Sequence, residues 1–155
     1  MKIYLASRYS RYPEMQMYAA ELAQMGHSIT SRWIQGDHEL RADGHSNDAH
    51  WQIQWAEEDY QDLLQACLCL SFTEAPGDTP GRNRGGRHVE LGIALASNKL
   101  CLVVGPREHV FHWLPQVIVL PAWPEAAQWL RTHRAIVARP AHALYSTDDN
   151  PFFTL

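Results

Sequence analysis

The sequence predicts an α/β fold in which a parallel β-sheet is covered by helices on both faces. Short apolar runs typical of buried strands alternate with longer segments whose apolar residues recur at helical spacing. Each connection between parallel strands needs a long crossover, usually a helix, and these crossovers are right-handed. The 155 residues are close to the usual size of one domain, so we expect a single domain over 1–155.

The first third of the chain has the pattern of a strand–helix–strand unit. Residues 2–5 (KIYL) form a short apolar run, and Pro13 stands where a helix can begin. Gly26 is a suitable helix end, and residues 28–33 (SITSRW) have strand character. This unit provides the first two strands and the first crossover helix.

A second helix is predicted over about 48–65, after a polar stretch. Its spacing brings Trp51, Trp55 and Asp59 to one face. An apolar strand follows at 66–72. The remaining predicted elements are a long loop rich in Gly, Pro and Asp at 73–86, a helix at 88–97, strands at 99–105 and 116–120, a helix at 124–134, and a tail from about 135.

Five alternating strands favour the flavodoxin-like or Rossmann-like strand order 2-1-3-4-5. In such open sheets a ligand binds outside the carboxyl ends of the strands, near the point where the strand order reverses. The loops expected at that edge are 6–10, 31–36, 74–88 and 104–108.

Composition and charge exclude several classes of partner. A formal net charge of -4 and a pI near 6.1 argue against a nucleic-acid polymer, although a few arginines can still bind a small anion. The amino-terminal hydrophobic stretch is too short for a signal peptide, and no run is long enough to span a membrane. We therefore expect a cytoplasmic protein that acts on a small molecule and needs no cofactor.

The segment GRNRGGRHVELGIAL (81–95) is the most informative one for function. Its paired glycines precede a helix start, where backbone amides favour an anion and a glycine such as Gly86 permits close approach of a ligand. Glu90, in the first turns of that helix, points toward the same edge of the sheet. The alternative is that the arginines only keep a loop exposed to solvent and that Glu90 only interacts favourably with the helix dipole.

Asp59 is the second carboxylate of interest. Two carboxylates that meet in a partly dry cleft can divide the cleavage of a glycosidic bond, one acting at the anomeric carbon and the other at the leaving group. Asp59 also lies among other acidic residues, and such charge runs are usually a solvated helix face.

Three motifs together resemble the nucleoside 2-deoxyribosyltransferase family and the related 2'-deoxynucleoside 5'-phosphate N-hydrolases. They are IYLAS near the amino end, EDYQDLLQACLCL, and GGRHVELGIALASNKLCLVVG, which span most of residues 1–105. The resemblance implies a catalytic set of Tyr4, Asp59 and Glu90. Glu90 would attack C1' of the sugar, Asp59 would assist departure of the base, and Tyr4 would orient Glu90 by a hydrogen bond. Water or a second base would then take the intermediate, with retention at the anomeric carbon.

The chain departs from this family six residues before Glu90. Transferases of the family often have an acidic residue there and the phosphohydrolases a small hydroxyl residue, whereas this chain has Arg84. Because a guanidinium pairs bidentately with phosphate, a nucleotide is slightly favoured over a nucleoside, unless Arg84 faces solvent. The residues that we expect to contact the phosphate or sugar are Ser7, Arg8, Arg84, Gly86 and Arg87.

Two further assignments concern the base and a metal. Trp33 occupies a position where relatives place a residue against the base, and an indole stacks well on a nucleobase, although a core tryptophan fits as well. His45, Asp48 and His50 match no familiar zinc spacing, so we expect no metal.

The resemblance also implies a homo-oligomer in which a neighbouring subunit completes the pocket, and the aromatic tail from about 135 is the segment that we expect to make this contact. The alternative to an enzyme is a nucleotide-binding or sensing module without turnover. A flavodoxin-like redox or signalling domain fits poorly, because the chain lacks a recognisable flavin phosphate loop after the first strand and a phospho-acceptor aspartate at a strand end.

Overall fold

The computed structural model describes residues 1–36, 49–75 and 85–133, and it confirms the α/β class. The five strands are all parallel, in the predicted order 2-1-3-4-5. They are β1 (Lys2–Ala6), β2 (Ser28–Ile29), β3 (Leu68–Phe72), β4 (Leu100–Val104) and β5 (Val117–Leu120). The helices are α1 (Tyr12–Gln24), α2 (Ala49–Gln65), α3 (Gly86–Ala96) and α4 (Trp123–Thr132), with 3₁₀ turns at Tyr9–Arg11, Arg32–Gln35 and Val110–Trp113.

Both faces of the central strands are covered. Successive residues of a strand point to opposite faces, yet every residue of β3 and β4 is buried. The helices supply the covering side chains, among them Met15 and Leu22 of α1, Leu91 of α3 and Leu130 of α4. The continuous apolar runs in the sequence therefore correspond to strands enclosed on both faces.

The prediction of a strand over 28–33 was wrong beyond residue 29. The Ser31 hydroxyl accepts a hydrogen bond of 2.6 Å from the backbone N–H of Leu5, and the Trp33 indole N–H donates to the Leu5 carbonyl at 2.8 Å. These side chains take hydrogen bonds that a longer β2 ladder would have made, so the chain turns into the 3₁₀ segment Arg32–Gln35.

The helix α3 begins two residues earlier than the sequence pattern indicated. Gly85, the residue before it, has a φ of 71°, a left-handed conformation that suits glycine, and Gly86 is the first helical residue. The polar stretch 37–48, the loop 76–84 with Arg84, and the tail from 134 lie outside the described residues. Within the described ranges, no helix combines the length and apolar character needed to cross a bilayer.

Candidate active site

Tyr4 and Glu90 meet at a contact between strand β1 and helix α3. Tyr4 is fully buried in β1, and its hydroxyl donates a 2.8 Å hydrogen bond to Oε1 of Glu90. Glu90 is the fifth residue of α3, which packs against β1, β3 and β4. The tyrosine ring thus extends from the middle of the sheet to a carboxylate one turn into the helix. This is the hydrogen bond that the family resemblance implied, and the catalytic roles of the two residues stay predictions.

Asp59 approaches the same carboxylate from helix α2. The helices α2 and α3 pack together, and Asp59 has one buried carboxylate oxygen. Its negative charge acts on Glu90 and on Tyr4, raising the pKa of both groups. The structure therefore brings the three predicted catalytic side chains, which are 86 residues apart in the chain at their extremes, into one electrostatic group.

Burial and charge make Glu90 an unusual carboxyl group. Loss of solvent on burial, and then repulsion by Asp59, raise the pKa of Glu90 to about 8, although the Tyr4 hydrogen bond lowers it in part. Burial, followed by the charge of Glu90, also raises the pKa of Tyr4. A carboxylate whose pKa lies near neutrality is a stronger base and nucleophile than an exposed one, and a nearby tyrosine hydroxyl can orient it.

The predicted phosphate ligand Arg87 is engaged inside the fold. It is only 3% exposed, and its guanidinium contacts both carboxylate oxygens of Glu108 at 2.8 and 2.9 Å. Burial acts to raise the pKa of Glu108, but the hydrogen bonds from Arg87 outweigh this and keep that pKa below its usual value. Contact between Arg87 and a ligand stays a prediction.

Arg8 is also held by a carboxylate. Its guanidinium forms an ion pair with Glu74, in which both side chains are largely buried. Glu74 lies just after β3, and its backbone N–H donates to Glu108 at 2.9 Å. The Arg8–Glu74 ion pair therefore links the loops after β1 and β3, and the backbone hydrogen bond from Glu74 to Glu108 links the loops after β3 and β4.

Ser7 and Gly86 have surroundings compatible with a ligand. The hydroxyl oxygen of Ser7 is buried and makes no hydrogen bond within the described part of the chain. Gly86 is exposed at the start of α3, and a Cβ atom added to it would contact nothing within 4 Å. Arg84, the remaining predicted phosphate contact, lies outside the described residues. The binding roles of these residues stay predictions.

Trp33 makes the contacts of a core residue. It is 4% exposed, its indole N–H is bonded to the Leu5 carbonyl, and its ring lies 6.3 Å from that of Tyr9. Among the described residues these contacts favour the structural interpretation that the sequence left open. Stacking of Trp33 on a base stays a prediction.

Two acidic residues of this edge, Glu74 and Glu108, were not predicted from the sequence. Each follows a buried strand at the carboxyl edge of the sheet, and each pairs with an arginine that we had assigned to a ligand. The signal that could have found them is their position shortly after β3 and β4, at the sheet edge where Arg8 and Arg87 also lie. The net charge of the chain alone does not show which arginine pairs with which glutamate.

No protein-family model and no curated protein matches this chain. The solved structures that resemble its fold include two named enzymes. The CMP N-glycosidase of Clostridium botulinum matches 85% of this chain and 99% of its own, with 18% identity and a TM-score of 0.55. The 2-deoxyribosyltransferase of Bacillus psychrosaccharolyticus matches 82% of this chain and 90% of its own, with 17% identity and a TM-score of 0.61.

The chain shares the fold of these two enzymes. The match extends over nearly all of each neighbour, so it concerns the whole domain rather than a single βαβ unit. Other proteins with this five-stranded parallel fold are enzymes. In this chain the Tyr4–Glu90 contact lies between the first strand and the third helix of that fold.

Proposed function

We propose that this chain is an enzyme that cleaves or transfers at the N-glycosidic bond of a (2'-deoxy)nucleoside or nucleoside 5'-monophosphate. The proposal includes membership of the nucleoside 2-deoxyribosyltransferase-like family and its nucleotide N-hydrolase branch. Glu90 is the nucleophile, Asp59 assists the leaving base, and Tyr4 positions Glu90.

The observation that carries the proposal is the 2.8 Å hydrogen bond from the Tyr4 hydroxyl to Glu90, with Asp59 electrostatically coupled to both groups. Two neighbouring carboxylates in a half-buried environment destabilise the folded state, because each repels the other's charge. A site that only binds an anionic nucleotide gains nothing from them. A reaction that develops positive charge on a sugar ring benefits from two carboxylates, because they stabilise that charge.

In the proposed mechanism the ionised Glu90 attacks C1' as the bond to the base breaks. The bonding electrons leave with the base, whose departure Asp59 assists by proton transfer. The product is a glycosyl ester on Glu90 with the base released. Attack by water on the ester gives hydrolysis, and attack by a second base gives transfer. Two inversions at C1' yield net retention in either case.

Two further facts support this reaction class over others. The Clostridium neighbour is named as a CMP N-glycosidase and the Bacillus neighbour as a 2-deoxyribosyltransferase, and both names describe reactions at an N-glycosidic bond. The ELG segment that carries Glu90 is also the part of the sequence that most resembles that family.

The experiment is an assay of purified full-length protein on a panel of nucleosides and their 5'-monophosphates, with and without a second free base. Base release and base exchange are followed by chromatography. Release alone identifies a hydrolase, exchange identifies a transferase, and a preference for monophosphates supports the phosphate contacts expected from Arg84. A Glu90→Gln preparation made in parallel is the control for contaminating enzymes.

The alternative is a nucleotide-binding or sensing module. It predicts that nucleotides raise the melting temperature of the protein although neither release nor exchange occurs. Activity in the wild type that disappears in Glu90→Gln contradicts the module, and thermal stabilisation without any turnover contradicts the enzyme. Assembly into a homo-oligomer and a cytoplasmic location remain predictions.

A further inference from the structure

Three histidines cluster beside the candidate active site. They are His88 in the first turn of α3 and His109 and His112 in the loop after β4. One ring nitrogen from each lies within 4.8 Å of the others. The cluster is partly or fully shielded from solvent, since His88 and His109 are half-buried and His112 is fully buried.

The orientation of His88 suits a metal ligand. Its Nε2 lies 3.2 Å from a carboxylate oxygen of Glu108, while its Nδ1 lies 3.1 Å from Nε2 of His109. A histidine that ligates a metal usually donates its other N–H to a carboxylate, which fixes the ring and increases its basicity. Glu108 is itself fixed by Arg87, so this carboxylate is a rigid partner.

The distances also fit a small divalent cation. Zn–N bonds of about 2.0–2.1 Å place two nitrogens of a tetrahedral site roughly 3.3 Å apart, close to the separation of the His88 and His109 nitrogens. The third ring, His112, has an Nε2 atom that is buried without a hydrogen-bond partner in the described part of the chain. A buried ring nitrogen left without a partner is unusual in a folded protein, and a bound cation would satisfy it.

We propose that His88, His109 and His112 form a binding site for a divalent transition-metal ion, with Zn²⁺ as the preferred ion. Three imidazoles without a thiolate or a ligating carboxylate suit zinc and leave its fourth position open. The site is distinct from the glycosidic chemistry proposed for Glu90. Its structural effect is to link the loop after β4 to the start of α3.

Metal binding requires a rearrangement of protons at two rings. In the metal-free form, the backbone N–H groups of Phe111 and Glu108 donate to Nδ1 of His109 and His112, each at 3.2 Å. A neutral ring then carries its proton on Nε2. If the cation binds Nε2, the proton moves to Nδ1 and these two long hydrogen bonds are lost, without net release of a proton.

The test is titration of the chelator-stripped full-length protein with ZnCl₂ in a calorimeter. We expect one tight site per chain, a higher melting temperature with zinc, and a loss of affinity of about 100-fold or more in His109→Ala. His109 is in a partly exposed loop, so this variant should fold, which circular dichroism checks. His133→Ala, which removes a histidine outside the cluster, is the matched control and should bind zinc as the wild type does.

Nitrogen-15 spectra of the histidine rings provide a second measurement. Zinc should shift the His109 and His112 signals to the tautomer with the proton on Nδ1. Equal zinc affinity in the wild type and His109→Ala, or no binding at about 100 μM zinc, would overturn the proposal. Both measurements are independent of turnover, so failure here leaves the glycosidic proposal intact, and failure of that proposal leaves this one intact.

Discussion

Two glutamates near the start of α3 have opposite environments. Glu90 is half-buried, with a tyrosine hydroxyl as its hydrogen-bond donor and Asp59 as its charged neighbour, and its pKa is raised to about 8. Glu108 contacts the same turn of the helix through Arg87 and His88, and its pKa is lowered. Burial acts to raise the pKa of both glutamates. The charge of Asp59 adds to that effect at Glu90, whereas the hydrogen bonds from Arg87 outweigh it at Glu108.

This difference separates a carboxylate suited to chemistry from one suited to stability. The ionised form of Glu108 is stabilised by the fold, so it holds Arg87 and the loop after β4 in position. The ionised form of Glu90 is destabilised by the fold, so this carboxylate is, once ionised, a stronger nucleophile than an exposed one. The predictions that follow test the comparison by removing one partner at a time.

The largest effect is expected at Glu90. Glu90→Gln keeps the shape and the hydrogen bond from Tyr4 but removes the nucleophile, so kcat should fall by about 10⁴-fold or more. Retention of more than about a tenth of the wild-type rate would falsify its role as nucleophile. Glu57→Gln, on the exposed face of α2, is the matched control and should keep full activity.

Glu90→Gln should also be more stable than the wild type, by an amount that depends on pH. Because the folded pKa of Glu90 is about 8 and the usual value is 4.5, protonation favours the folded state. The wild type therefore loses stability as the pH rises from about 4.5 to 8, whereas glutamine does not titrate. The melting-temperature advantage of Glu90→Gln should grow over this window and level off above it. An advantage that shrinks with rising pH contradicts the assignment.

Asp59→Asn should have the next largest effect. Loss of proton transfer to the leaving base should lower kcat by roughly 10²–10⁴-fold. The substitution also removes a negative charge beside Glu90, so the pKa of Glu90 should fall and the alkaline rise of kcat/KM should move to lower pH. A pH–rate profile checks both effects. An unshifted profile would mean that Asp59 does not act on Glu90.

Glu108→Ala should act on stability instead of chemistry. Arg87, which is 3% exposed, would lose its bidentate carboxylate, and removing one partner of a buried ion pair costs about 3–5 kcal/mol. The free energy of unfolding, measured with urea, should fall by that amount. Replacing both partners with apolar residues, as in Arg87→Met with Glu108→Leu, should recover most of it. Equal stability of Glu108→Ala and wild type contradicts this view.

The smallest effect is expected for Tyr4→Phe. The hydrogen bond from Tyr4 lowers the pKa of Glu90, so its loss should raise that pKa and move the pH–rate profile to higher pH, opposite to Asp59→Asn. We expect a fall in kcat of about 10-fold, as is typical for one hydrogen bond to a charged group. A profile that moves in the same direction as in Asp59→Asn would contradict a positioning role.

Much of the fold could be predicted from the sequence, because buried parallel strands have continuous apolar runs and their crossover helices have helical spacing. The exception was β2, which ends at Ile29. Its continuation depends on whether Ser31 and Trp33 bond to the backbone of Leu5, a contact between segments 26 residues apart. The local pattern of apolar and polar residues does not show such a long-range contact.

The candidate site was predicted in part. Tyr4, Asp59 and Glu90 could be named because a resemblance connected three short motifs, and the structure brings these side chains together. The arginines were harder. From the sequence, Arg8 and Arg87 are predicted to contact a ligand, but in the structure they form ion pairs with Glu74 and Glu108. The histidine cluster escaped notice because His88 lies 21 residues before His109.

The sequence by itself determined the α/β class, the strand order and the carboxylates at the start of α3 and on α2. The class and the strand order follow from periodicity and from the order of elements along the chain, and the carboxylates were named through the resemblance of three motifs to a known family. Only the tertiary structure decided which charges face each other, and so which carboxyl group has a raised pKa and which a lowered one. The reason is that electrostatic free energy depends on distance and on burial, and the folded chain sets both.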